Sequence, residues 1–146
     1  MNSGLRIRDA VCLSMDKIKE GERLLYTQKT GNAVFVPLAD EVIKALEGMK
    51  FMPFWSGVGL PKSAVADWQR TLARLFKLVG LAGHAHRFRD SFAVNLLQRG
   101  VSLENVAILL GNSIKVAEKH YAPWVASRQA ALTESVRRAW VSSSSQ

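Results

Sequence analysis

Apolar residues recur at helical spacing along most of this chain, and only one short stretch breaks into alternation. Within residues 5–13, Leu5, Ala10 and Leu13 fall near one face of a short helix, and Arg6 and Asp9, three apart, can be neighbours. LLYTQ and AVFVPL are β-prone segments on either side of Lys29, Thr30, Gly31 and Asn32. That pattern predicts a hairpin whose turn uses Gly31 or Asn32 at positive φ, with Lys29 where the first strand enters the turn. From Ala39 to Gly48, Val42, Ile43 and Leu46 recur at helical spacing and a glycine closes the run, which predicts a second helix. Proline, glycine and aromatic residues make 51–61 a loop or short strand.

The second half is more regular. Over 63–79, Val65, Trp68, Leu72, Leu75, Phe76 and Val79 form an apolar stripe, with Arg70, Arg74 and Lys77 largely off it. A helix over 87–99 follows, on the seam Phe88, Phe92 and Leu96 with Ala93 and Leu97, and Gly100 caps it. Ser102 opens a short helix carrying Leu103, Val106 and Leu110, which Gly111 and Asn112 end. One or two turns over 116–124 and a closing helix over 127–140 complete the pattern. Leu132, Val136 and Trp140 stand every fourth residue on the last helix, a stripe expected to pack on its own domain, with docking on a neighbouring subunit as the alternative. No repeat or linker divides the chain, so 1–141 reads as one domain and the serine-rich 142–146 as a frayed tail.

Composition fits a packed domain. The chain has 146 residues, 48% of them hydrophobic, with four Trp and six Phe as large core pieces. Twenty Lys and Arg against twelve Asp and Glu give a formal charge of +8, which favours a polyanionic partner, nucleic acid ahead of a membrane surface. Cys12 is the single cysteine, so no intrachain disulfide can form, and a thiol within AVCL fits a reducing compartment, the cytoplasm. No apolar run reaches the roughly 20 residues of a membrane span, and MNSGLRIRD is charged where a signal peptide needs an apolar segment.

The chemistry-bearing residues stand in a definite order: Arg6 in GLRIRDA, Lys29 in QKTGNAVFVPL, His86 and Arg89 in HRFRDSFA, Asn112 after LLG, and Tyr121 in HYAPWV. In this order and spacing the chain resembles the tyrosine recombinase family, the phage integrases and their relatives, from Gly4 to about Trp124. The resemblance implies a fold of α+β class, mainly α, the DNA breaking-rejoining catalytic domain with a small antiparallel hairpin or sheet near residues 17–37. It also implies a metal-free reaction with no cofactor on double-stranded DNA, in which Tyr121 attacks a phosphodiester to give a 3′-phosphotyrosyl link and a free 5′ hydroxyl. A tetrameric synapse on DNA and a nucleoid-associated site of action belong to the same expectation.

Each position has its own physical reading. Two guanidiniums suit the non-bridging oxygens of a phosphate because their forked donors match that geometry, which a point-charge lysine cannot copy. Arg6 beside Asp9 and Arg89 beside Asp90 also fit arginines satisfied by a carboxylate. Two overlapping frames, His84 with Arg87 and His86 with Arg89, satisfy the same spacing, and the residues alone do not separate them; the DSFA that follows selects the second by resemblance. The resemblance makes Lys29 the general acid for the departing 5′ oxygen and His86 a phosphate ligand that helps accept the tyrosine proton.

Tyr121 also fits a half-buried core tyrosine with a paired hydroxyl. Asn112 stands where the family usually has His, sometimes Trp. Its amide can donate a hydrogen bond but cannot exchange a proton near neutrality, so reduced activity is expected. The start at Arg6 gives the expectation of a catalytic domain without its opening helix or DNA-clamping partner domain. The competing expectation is an impaired remnant that only grips DNA.

Overall fold

The chain enters its fold through a tight contact. Gly4 takes φ +56°, and a side chain there would collide with the Phe92 ring and press on Leu110. Only glycine fits both the left-handed backbone and the space. The computed structural model describes residues 3–19, 22–26, 33–49 and 51–143. Arg6 is extended, and helix α1 (Ile7–Val11) begins immediately after it. Val11 and Leu13 are buried, and α1 packs against α3 (Pro61–Leu78), whose proline at the first turn suits a helix start.

Strands β1 (Ile18–Lys19), β2 (Glu22–Tyr26) and β3 (Ala33–Pro37) form an antiparallel sheet in the order β1-β2-β3, with Leu24 opposite Phe35. This is the expected sheet near residues 17–37, with one strand more than the hairpin. Val34 and Val36 point inward while Phe35 is exposed, the period-2 alternation of a sheet with one covered face. Lys29 and the turn expected at Gly31 or Asn32 lie outside the described residues. Helix α2 (Asp40–Leu46) follows and is one turn shorter than its apolar pattern predicts.

The core sits farther along, where α4 (His86–Gln98), α5 (Leu103–Leu110) and α6 (Ile114–Ser143) meet. Its buried members are Ala93, Leu97, Val106, Ala107, Leu110, Ala117 and Tyr121. The Ser102 hydroxyl accepts from the Asn105 amide at 3.2 Å and opens α5. At the other end Gly111 is left-handed, Gly111 N–H donates to Ile108 O and Asn112 N–H to Ala107 O. These are the two bonds of a Schellman motif.

The structure departs from the expected pattern at four points. Ala93 and Leu97 of the expected α4 seam are buried and Phe92 and Leu96 pack against the core, but Phe88 is exposed and Arg89 is buried in its place. An arginine can occupy that face because backbone carbonyls meet it. The expected break before residue 127 is absent, since α6 runs unbroken through Pro123. A proline there removes the N–H that would bond the Lys119 carbonyl and crowds it with its ring, and Lys119 is exposed, so that carbonyl can turn to water. The last stripe is not covered by its own domain, with Leu132 and Val136 about half exposed and Trp140 more so. Helix α6 also continues through Ser143, into the segment expected to be a tail.

Leu97 is fully enclosed by this core, whereas Leu78 at the end of α3 is 83% exposed. In urea melts, Leu97→Ala is expected to cost about 2–5 kcal/mol, while Leu78→Ala stays within about 0.5 kcal/mol of the parent.

Candidate active site

The last carbonyls of an α-helix have no intrahelical donor, and its C-terminal end carries partial negative charge. Arg89 uses this. From the buried face of α4 its Nη2 donates to the Leu110 carbonyl at the end of α5, and its Nη1 donates to the Gly4 carbonyl at 2.7 Å. Only 3% of the residue is exposed. Burial and the nearby Arg6 push its pKa down to about 10, against opposing pulls from Tyr121, Asp9 and Asp90, so it stays charged through the neutral range.

Asn112, placed just past the left-handed Gly111, joins the two arginines. Its Oδ1 accepts from Arg6 Nη2 at 2.9 Å and from Arg89 Nη2 at 3.2 Å. Two like charges are thereby brought to one oxygen, an arrangement that also suits an oxygen of a phosphate or carboxylate. With Oδ1 turned to the arginines, the donor nitrogen Nδ2 makes no hydrogen bond among the described residues.

Tyr121 approaches from α6. It is only 3% exposed and packs in the core, and its hydroxyl donates to Asp90 Oδ1 at 3.0 Å. Burial, then the hydrogen bond and charge of Asp90, raise its pKa to about 12, with Arg89 opposing. The same Asp90 oxygen lies 3.8 Å from Nε2 of His86, one turn earlier on α4. His86 is about half exposed, and its pKa lies below 6.5 because burial outweighs the attraction of Asp90, with Arg89, His84 and Arg6 adding to the depression. His84 stacks beside it at a ring separation of 6.3 Å.

Arg6, His86, Arg89, Asn112 and Tyr121 are thus drawn into one neighbourhood by α1, α4, the α5 end and α6, while Lys29 lies outside the described residues. The sequence reading missed the role of Asp90. It treated the residue as a partner for Arg89, although its spacing of four from His86 placed it on the same helical face. Gly4 was also missed, because its contribution is a backbone carbonyl. Among the described residues no group of three or more His, Cys, Asp or Glu is placed to hold a metal ion, and no helix is long and apolar enough to cross a membrane.

No protein-family model matches the sequence, and no curated protein matches it either. Solved structures do match in fold. XerA recombinase aligns with a TM-score of 0.64 at 19% identity, over 82% of this chain and 48% of that one. The Tn1549 transposon integrase in complex with circular intermediate DNA aligns at 0.62 and 20% identity, over 82% and 52%. The catalytic domain of bacteriophage HP1 integrase aligns at 0.63 and 17% identity, over 91% and 75%. The chain therefore has the mainly helical fold of these catalytic domains and spans about half the length of the first two proteins.

Two titrations check the electrostatics. In histidine-resolved NMR, the His86 midpoint is expected below 6.5 and lower still in Asp90→Asn, which removes the one group raising it; an unchanged midpoint would show the pair to be uncoupled. Because the folded state holds Tyr121 protonated to about pH 12, its stabilising contribution is complete below pH 10 and lost as pH rises from there towards 12. Unfolding free energies measured across that range should fall less steeply in Tyr121→Phe.

Proposed function

We propose that this chain is the DNA-cleaving and rejoining domain of a site-specific recombinase or integrase that uses Tyr121 as its nucleophile. The observation that carries this reading is the convergence of Arg6 and Arg89 on a single oxygen, within a network that reaches the Tyr121 hydroxyl through Asp90. The +8 charge supports double-stranded DNA as the partner. The fold shared with XerA recombinase and HP1 integrase supports the same class.

A scissile phosphate seated on the two guanidiniums has its non-bridging charge neutralised by forked donors, one of them fixed in advance by protein carbonyls. It displaces Asn112 Oδ1 from the centre of the pair, and Nδ2 of the same amide can donate to it. Tyr121 Oη then attacks phosphorus, the 3′-phosphotyrosyl bond forms, and the 5′ oxygen leaves with a proton from Lys29. His86 hydrogen-bonds the phosphate. Rejoining reverses these steps with the 5′ hydroxyl of the exchanged strand. The half-exposed Leu132 and Val136 on α6 give a tetrameric assembly on DNA a surface to bury.

A second reading has an observation in its favour. Tyr121 is core-packed and its phenol pKa is raised, which disfavours nucleophilic attack until DNA is bound, and a remnant that only binds DNA would look the same. Nicked duplexes of randomised sequence, trapped with the protein under denaturing conditions, separate the two. The enzyme reading expects a covalent adduct that vanishes in Tyr121→Phe and falls by at least about 100-fold in Arg6→Ala, whereas salt-sensitive binding with no adduct from any duplex supports the remnant.

A further inference from the structure

We propose that Asp90 is the base of this site: it takes the proton of Tyr121 during attack and returns it when the strand is rejoined. This rests on the reading of Tyr121 as nucleophile, and it assigns to a carboxylate the proton transfer that the sequence resemblance gives to His86.

The geometry carries the assignment. The reacting hydroxyl already donates to Asp90 Oδ1 at 3.0 Å, within the reach required of a general base. Tyr121 is only 3% exposed, so its proton has little access to bulk water and needs an acceptor in the protein. His86 Nε2 stands 3.8 Å behind the carboxylate oxygen, and among the described residues it makes no hydrogen bond to Tyr121. The groups facing Asp90 are Tyr121 from α6 and His86 and Arg89 on its own helix, with Arg6 and Asp9 of the α1 segment acting on Arg89 behind them. About 43% of the Asp90 side chain is exposed, so a proton it has taken can be passed to water or to a neutral His86.

The step balances. The Oη–P bond forms as the P–O5′ bond breaks, the phenolic proton moves to Asp90 Oδ1, and the O5′ oxygen takes its proton from Lys29. An isolated carboxylate is a weak base towards a phenol, but the phenol loses its basicity as its oxygen becomes an ester, so the transfer proceeds as the P–O bond forms. Neutralising Asp90 also removes a negative charge beside the phosphotyrosyl diester. On rejoining, the P–O5′ bond forms as the Oη–P bond breaks, the proton of the 5′ hydroxyl returns to Lys29, and Oη recovers its proton from Asp90.

Single-turnover adduct formation on the nicked duplex pool, followed from pH 5 to 9, tests the assignment in the full chain. Asp90→Asn is expected to keep DNA affinity and lose about 100- to 1,000-fold in adduct rate, with the residual rate rising with pH as hydroxide replaces the base. Asp90→Ala with added formate should recover part of the rate, a response that a purely structural carboxylate would not give. If Asp90→Asn unfolds, Asp90→Glu and the formate rescue decide: a glutamate variant with the wild-type pH profile supports the base, and rescue absent from a folded Asp90→Ala overturns it. Undiminished adduct in Asp90→Asn, while Tyr121→Phe gives none, overturns this inference alone and leaves the nucleophile standing. Adduct in Tyr121→Phe, or none from the parent chain, removes the underlying reading and the base with it.

Discussion

A full positive charge on the interior stripe of a helix is the constraint around which this domain is arranged. By its spacing from Ala93 and Leu97, Arg89 occupies a position where an apolar residue would ordinarily pack. A buried charge without partners costs several kcal/mol, so the surrounding chain must bring acceptors to it. It does so with backbone: the Gly4 carbonyl from the chain's entry and the Leu110 carbonyl from the end of α5. Those two segments are therefore fixed relative to α4 by the same group that would hold a phosphate in the proposed function, so that fold and proposed anion site share one anchor.

The end of α5 connects this anchor to the rest of the site. Its left-handed glycine stops the helix, leaves the Leu110 carbonyl for Arg89, and turns Asn112 so that one oxygen faces both guanidiniums. A histidine at that position could bridge the cations only by presenting an unprotonated nitrogen. An amide presents a carbonyl and a donor at once, at any pH where the domain folds. Asn112 is thus compatible with an arginine pair held in register without a proton of its own.

Much of this was legible in the chain. Helix starts and stops were marked by Ser102, Gly100, Gly111 and Asn112, and the alternation of AVFVPL announced the sheet, because these signals are local. The motif order pointed to a set of residues of which Arg6, His86, Arg89, Asn112 and Tyr121 are brought together. What escaped was set by tertiary context. The first position of the α4 seam was misplaced because hydrophobicity alone ranks Phe88 above Arg89 for burial, and only distant carbonyls reverse that order. Asp90 was assigned to its sequence neighbour Arg89, whereas α6 supplies its real partner. The last two apolar patterns were read as separate helices, whereas one helix runs through Pro123, since an exposed carbonyl can lose its donor at modest cost.

That proline sets a mechanical property of the helix that carries Tyr121. Ala117 and Tyr121 fasten the near half of α6 into the core, while the far half is largely exposed, and the missing bond at Lys119 lies close to the boundary between them. A rod with one rung removed is most compliant at that rung. Torque applied to the outer half is therefore absorbed next to the tyrosine, so that half can be gripped and bent while Ala117 and Tyr121 keep their packing.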